Sequence, residues 1–232
     1  MKARKVLTQV VIGLAATCAL AAAGPQDQKP KVQIPQPGVP QIMTLEGAFV
    51  RAAYNNEGYA ILGYRTANMS VGDEWILLEV GMTMREGKSN YTLTRDAVSL
   101  ETPDGKTIPM PSNADYRKVD LRALEQRSSV VRDSINYFPP GASQACRIGF
   151  FSPLGGAMPY DQVEISWQRA CLGRLYFKIP GGIQYGQHWL NIQFKESLVR
   201  VPFRILTKEE EKTLSKNFKD IQKQVEDAFK KK

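Results

Sequence analysis

The sequence predicts a mainly β protein: an antiparallel sandwich or barrel with a helical insertion and an amphipathic C-terminal helix. Three observations carry this. Short runs rich in β-branched, aromatic and aliphatic side chains recur between Tyr59 and Ile205. Turn residues separate them at intervals of roughly 8 to 12 residues, and no regular alternation of strand with helix accompanies them. With 232 residues, 43% of them hydrophobic and 23% charged, the chain holds enough apolar material for one or two compact domains. Its 18 Gly and 14 Pro follow no period and its three Cys are too few for a cysteine framework, so collagen-like and disulfide-scaffold classes are excluded.

Lys2, Arg4 and Lys5 precede an uncharged run from Val6 to Ala23, and Ala21, Ala22 and Ala23 put small side chains where a signal peptidase admits them. Residues 1–23 therefore read as a secretory signal peptide cleaved before Gly24. Two rivals stay open. The run is 18 residues long, the lower limit for a membrane span, and Cys18, after Ala15, Ala16 and Thr17, offers a lipoprotein attachment site. The expected location is exported, periplasmic or extracellular. Three of the 31 basic residues leave with the leader, so 28 bases against 23 acids give a net charge of +5. That is mild, and the two signs alternate along the chain, which with export argues against a nucleic-acid partner.

Residues 24–43 form a linker in which Pro25, Pro30, Pro35, Pro37 and Pro40 alternate with Gln26, Gln28, Gln33 and Gln36. Proline at this density favours extended polyproline II geometry and a semi-rigid spacer. The folded β domain is expected over 44–206. Thr44 to Asn55 is ambiguous and leans to helix through Phe49, Val50, Ala52, Ala53 and Tyr54. Tyr59–Arg65, Trp75–Met84, Asp96–Glu101 and Thr107–Met110 then read as strands, with Pro103, Asp104 and Gly105 making a hairpin turn. A helical insertion is expected at about 112–129, N-capped by Ser112 with Asp115 three places on, lying across one end of the sheet. Ala145–Phe151, Gln162–Trp167, Leu172–Ile179, Trp189–Phe194 and Leu198–Ile205 complete about nine strands.

Residues 207–232 read as a helix. Thr207 and Glu210 make a capping box, and Leu214, Phe218, Ile221, Val225 and Phe229 recur at helical spacing as one apolar stripe among lysines. The stripe has three readings: packing on its own domain, docking a partner helix, or lying on a membrane surface.

The stretches from Gly58 to Glu101 and from Cys146 to Ile205 resemble the small immunoglobulin-like sandwiches of uncharacterised exported bacterial proteins. Gly72 and Trp75 with Leu77, Leu78, Glu79 and Val80, then Leu100, Pro103, Asp104 and Gly105, carry the likeness. It implies a protein-binding or envelope module and brings no catalytic motif with it.

No catalytic residue, metal site or cofactor is indicated by any motif. The chain has one His, His188, read as a hydrogen-bonded structural residue at the start of a strand. Cys146 and Cys171, 25 residues apart, are expected to form a disulfide in an oxidising compartment, restricting the unfolded chain by about 3 kcal/mol. The functional alternative is an enzyme of unrecognised type using Cys146 or His188. The candidate contact surface is the loop carrying Phe151, Pro153, Leu154, Met158 and Tyr160, where aromatic and apolar groups stand among glycines. The expected function is a non-catalytic exported binding or scaffolding domain whose partner is a protein or an envelope polymer.

Overall fold

Apolar runs buried on both faces, Gly58–Gly63 and Trp75–Met84, form the middle of the fold. The computed structural model describes residues 42–131, 133–151 and 159–217. The expected signal peptide, the alternative lipid site at Cys18 and the expected linker as far as residue 41 lie outside them. The described part is mainly β and built from three sheets.

The first sheet has six strands. Its first four run as a meander: β1 (Ile42–Gly47), β2 (Val50–Tyr54), β3 (Gly58–Gly63) and β4 (Trp75–Met84). A short helix, α1 (Arg65–Asn68), fills the β3–β4 connection. Beyond β4 the sheet continues with β10 (Arg169–Lys178), antiparallel to β4, and ends with β8 (Gln144–Ile148), which runs parallel to β10. The second sheet is antiparallel, in the order β12 (Leu198–Ile205), β11 (Gly186–Gln193), β6 (Val98–Glu101), β7 (Thr107–Pro109). A small third sheet pairs β5 (Tyr91–Thr94) with β9 (Gln162–Ile165), again antiparallel. The β6–β7 turn forms where Pro103-Asp104-Gly105 placed it, with Gly105 at φ +80° supplying the left-handed residue.

Period two sorts the side chains of β4. Ile76, Leu78, Val80, Met82 and Met84 join the main core, while Leu77 packs on the opposite face of the sheet. The main core also takes Leu175 and Phe177 of β10, Val98 and Leu100 of β6, Leu190 and Ile192 of β11, and Val199, Val201, Phe203 and Ile205 of β12. Burying side chains of this kind contributes about 1.5 to 3 kcal/mol each before the entropy of ordering them is charged.

The outer face of the six-stranded sheet is covered as well. Over β4 and β10, Tyr116, Leu121 and Leu124 pack on Leu77 and Tyr176. Over β2 and β3, Ile135 and Phe138 pack with Val50, Ala52, Tyr59 and Ile61. The Tyr59 hydroxyl fixes this second cover by donating to the Tyr137 carbonyl at 2.8 Å.

Four expectations change here. Thr44 to Asn55 is a hairpin, not a helix, because β2 is apolar on both of its faces: Ala53 enters the main core and Val50 and Ala52 the outer one. The insertion is two helices, α2 (Asn113–Tyr116) and α3 (Arg122–Val130), and it lies on the outer face of the sheet rather than across its end. Ser112 does cap α2, in a reciprocal box with Asp115. The pairing is antiparallel except between β8 and β10. Twelve strands are present among the described residues, the additions being β1, β2 and β5.

Candidate functional site

Between the two outer covers the six-stranded sheet is left open, and the gap is a groove of about 780 Å³. Its floor is Glu79 of β4, then Leu172, Gly173 and Arg174 of β10, and Arg147 and Ile148 of β8. Its walls are Glu125 of α3 with Tyr176 and Phe151 on one side, and the segment from Asp133 to Asn136 on the other. Gly173 lets β8 approach β10 closely beneath the groove, since a Cβ there would lie 2.4 Å from the Ile148 carbonyl oxygen.

The groove carries both signs of charge, held in place by neighbours. Glu79 and Arg174 sit directly opposite each other across β4 and β10, with Nε 3.7 Å from the carboxylate. Asp133 takes a forked contact from Arg65 of α1, at 2.9 Å from Nε and 2.7 Å from Nη2. Tyr176 donates from its hydroxyl to Glu125 at 3.0 Å. Burial, then the nearby Glu125 carboxylate, pushes the Tyr176 phenol above its ordinary range, so it stays a donor at any physiological pH. Among the described residues Arg147 is the groove cation with no ion-pair partner, and it is exposed at the sheet edge.

One buried guanidinium fixes the surroundings of the groove. Arg95, in the single 3₁₀ turn after β5, lies within hydrogen-bond reach of the Pro111 carbonyl (3.2 Å), the Asn113 side chain (2.8 Å), and the Phe150 and Tyr160 carbonyls (2.8 and 3.4 Å). It also reaches Asp161 at 3.3 Å and lies over the Tyr116 and Phe150 rings. The same group thus ties the start of the insertion to both stems of the loop between Phe150 and Asp161.

No family model matches the chain, and neither the curated proteins nor the solved structures contain a match to it.

The residues singled out from sequence fall in several places. Cys146 and Cys171 are bonded to each other and face each other in the β8–β10 register. The sulfur of Cys146 is therefore not a free nucleophile. Phe151 lines the groove, but half-buried, with its ring 4.4 Å from that of Tyr176 and 5.0 Å from that of Tyr116. Tyr160 is 60% exposed. Pro153, Leu154 and Met158 lie outside the described residues. The C-terminal segment is helical over 208–217 behind reciprocal Thr207 and Glu210 hydrogen bonds of 3.2 and 3.0 Å. Its start is tied to α1, because the Asn68 side chain accepts from the Leu206 amide and donates to Glu211. Leu214 is half-buried, and Phe218, Ile221, Val225 and Phe229 lie outside the described residues.

His188 is wholly buried on β11, far more enclosed than a strand-start position suggests, and stacks on Phe203. The groove residues Glu79, Glu125, Asp133, Arg147 and Arg174 were missed by sequence reasoning. Their only early signal is Glu79, a carboxylate inside the apolar run of β4.

Proposed function

We propose that the chain is an exported, non-catalytic binding module of the bacterial envelope, which holds a protein segment or envelope polymer in the groove on the outer face of its six-stranded sheet. The observation that carries this reading is the groove itself: a rigid sheet floor, open between two packed covers, with an exposed Arg147 beside carboxylates that are already positioned. Pre-positioned charges spend little ordering entropy on binding, and an unengaged guanidinium suits a carboxylate or phosphate of the incoming chain. Export is supported by the leader pattern and by the Cys146–Cys171 bond. The immunoglobulin-like kinship belongs to the same reading; a six-stranded and a four-stranded sheet contributing to one core support it.

A photo-crosslinking side chain placed at Ser134, within the groove, tests the proposal in cells expressing the full chain. The expected result is a discrete crosslinked species in the envelope fraction that is absent when the crosslinker stands at Lys88, in an exposed turn away from the groove. Equal crosslinking from both positions, or none from Ser134 with or without an Arg147→Glu change, overturns it.

A further inference from the structure

A second, smaller cavity of about 320 Å³ opens at the far end of the four-stranded sheet, where the β6–β7 turn approaches the segment that follows β10. Thr102, Pro103, Ile108, Ile179 and Pro180 form half of its wall, and His188 lines it as well. His188 Nδ1 is 3.1 Å from the Gly186 carbonyl oxygen. A carbonyl only accepts, so Nδ1 carries the proton and Nε2 presents a lone pair. That Nε2 is buried and has no hydrogen-bond partner, alone in this among the described side-chain nitrogens and oxygens. Buried polar atoms without partners are rare, and one in the wall of a cavity points to a group that comes from outside the chain.

The chemistry of that group follows from the surroundings. It must donate a hydrogen bond to a neutral imidazole. An anion would need the imidazolium, which burial disfavours. Among the described residues no cluster of three His, Cys, Asp or Glu stands ready for a metal ion. At the rim, Asp104 is already engaged by Lys106 at 2.6 Å and by the Thr102 hydroxyl at 2.5 Å, which leaves a cationic donor no free counter-charge. The rest of the wall is Pro103, Ile108, Ile179 and Pro180, which suit the C–H faces of a compact ring, with Thr107 and Gln184 as neutral polar groups that suit its other hydroxyls.

We propose that this cavity binds a neutral hydroxyl compound of up to monosaccharide size, with one hydroxyl donating to His188 Nε2 and the ring lying between Pro103, Ile108, Ile179 and Pro180. The site shares no residue with the groove and does not depend on what the groove holds.

The single His gives the site its own reporter, because the imidazole signals of the full chain need no assignment. Long-range ¹⁵N–¹H spectra are expected to show Nδ1 protonated and Nε2 bare. Addition of methyl glucopyranoside or cyclohexanol should move the Nε2 resonance upfield and saturate, while tetrahydropyran, which has no donor, should leave it in place. Ligand-observed binding should weaken about tenfold or more in His188→Phe, the equivalent of one lost hydrogen bond. Ile108→Trp keeps the histidine and fills the cavity, and should abolish the Nε2 response; thermal melting checks that both variants fold. The proposal fails if Nε2 is the protonated nitrogen, or if neither alcohol produces a saturable shift. It fails equally if tetrahydropyran acts as they do, or if a bound water holds Nε2 and neither alcohol displaces it.

Discussion

The two main sheets use the same core and treat their other faces differently. The six-stranded sheet is buried on both sides over β2, β3, β4 and β10, and Glu79, Arg147 and Arg174 bring charge into the groove left open on its outer face. The four-stranded sheet turns an ordinary mixed face outward, where Arg200 of β12 reaches Glu101 of β6 at 2.6 Å and lies over the Trp189 ring. A sheet that must carry a site between two covers has to spend apolar residues on both faces; one that only closes the core can leave its second face to ion pairs and an amphipathic ring. The contrast predicts where the molecule is fragile.

The largest effect is expected in the shared core. Phe177→Ala removes a fully buried ring between the layers and should cost about 3 to 5 kcal/mol, read from the denaturant midpoint at constant slope. Reducing the Cys146–Cys171 bond, or replacing both residues by serine, should cost about 3 kcal/mol. The loss belongs to the six-stranded sheet, so amide exchange should accelerate in β8 while β11 and β12 stay protected. If β11 and β12 open to the same extent, the two sheets are one cooperative unit and the contrast fails.

On the outer face of the four-stranded sheet, Arg200→Ala should cost about 1 kcal/mol, because a half-exposed pair and a ring contact are lost rather than a core group. A cost equal to that of Phe177→Ala would erase the distinction between the two outer faces.

The smallest effect is a pH dependence lodged in the four-stranded sheet. Burial holds the His188 imidazole below its ordinary value of 6.5, with the Gly186 carbonyl and then Asp104 opposing weakly. The unfolded chain therefore takes up this proton first as pH falls. The contribution of His188 is complete above about pH 6.5 and is lost progressively as pH drops toward the folded-state value. His188→Phe should flatten that part of the stability profile and leave the region above neutrality unchanged.

Legibility in the sequence follows the same division. The bounds of β12 and β4 are those expected, Leu198–Ile205 and Trp75–Met84, because clear turns flank them and each is long enough to show itself. β2 was misread as helix because burial on both faces removes the alternation that marks a strand. β5 is four residues long and half exposed, too short and too polar to register. That β8 runs parallel to β10 depends on how distant segments meet, which no local pattern records. The same holds for the groove: its five charged side chains come from β4, α3, the segment after α3, β8 and β10, so they form no spacing motif. The loop from Phe151 to Tyr160 was singled out for its aromatics, yet what Phe151 does with its ring is pack against Tyr116 and Tyr176.

The bond between Cys146 and Cys171 also sets the path that tension would take through the molecule. A pull applied at the two ends of the chain passes from one sulfur to the other and bypasses everything from Arg147 to Ala170, including β9 and the groove residues Arg147, Ile148 and Phe151. Roughly 80 Å of contour length is thereby withheld from extension. A module anchored at one end and loaded at the other could stretch elsewhere while that loop stays slack.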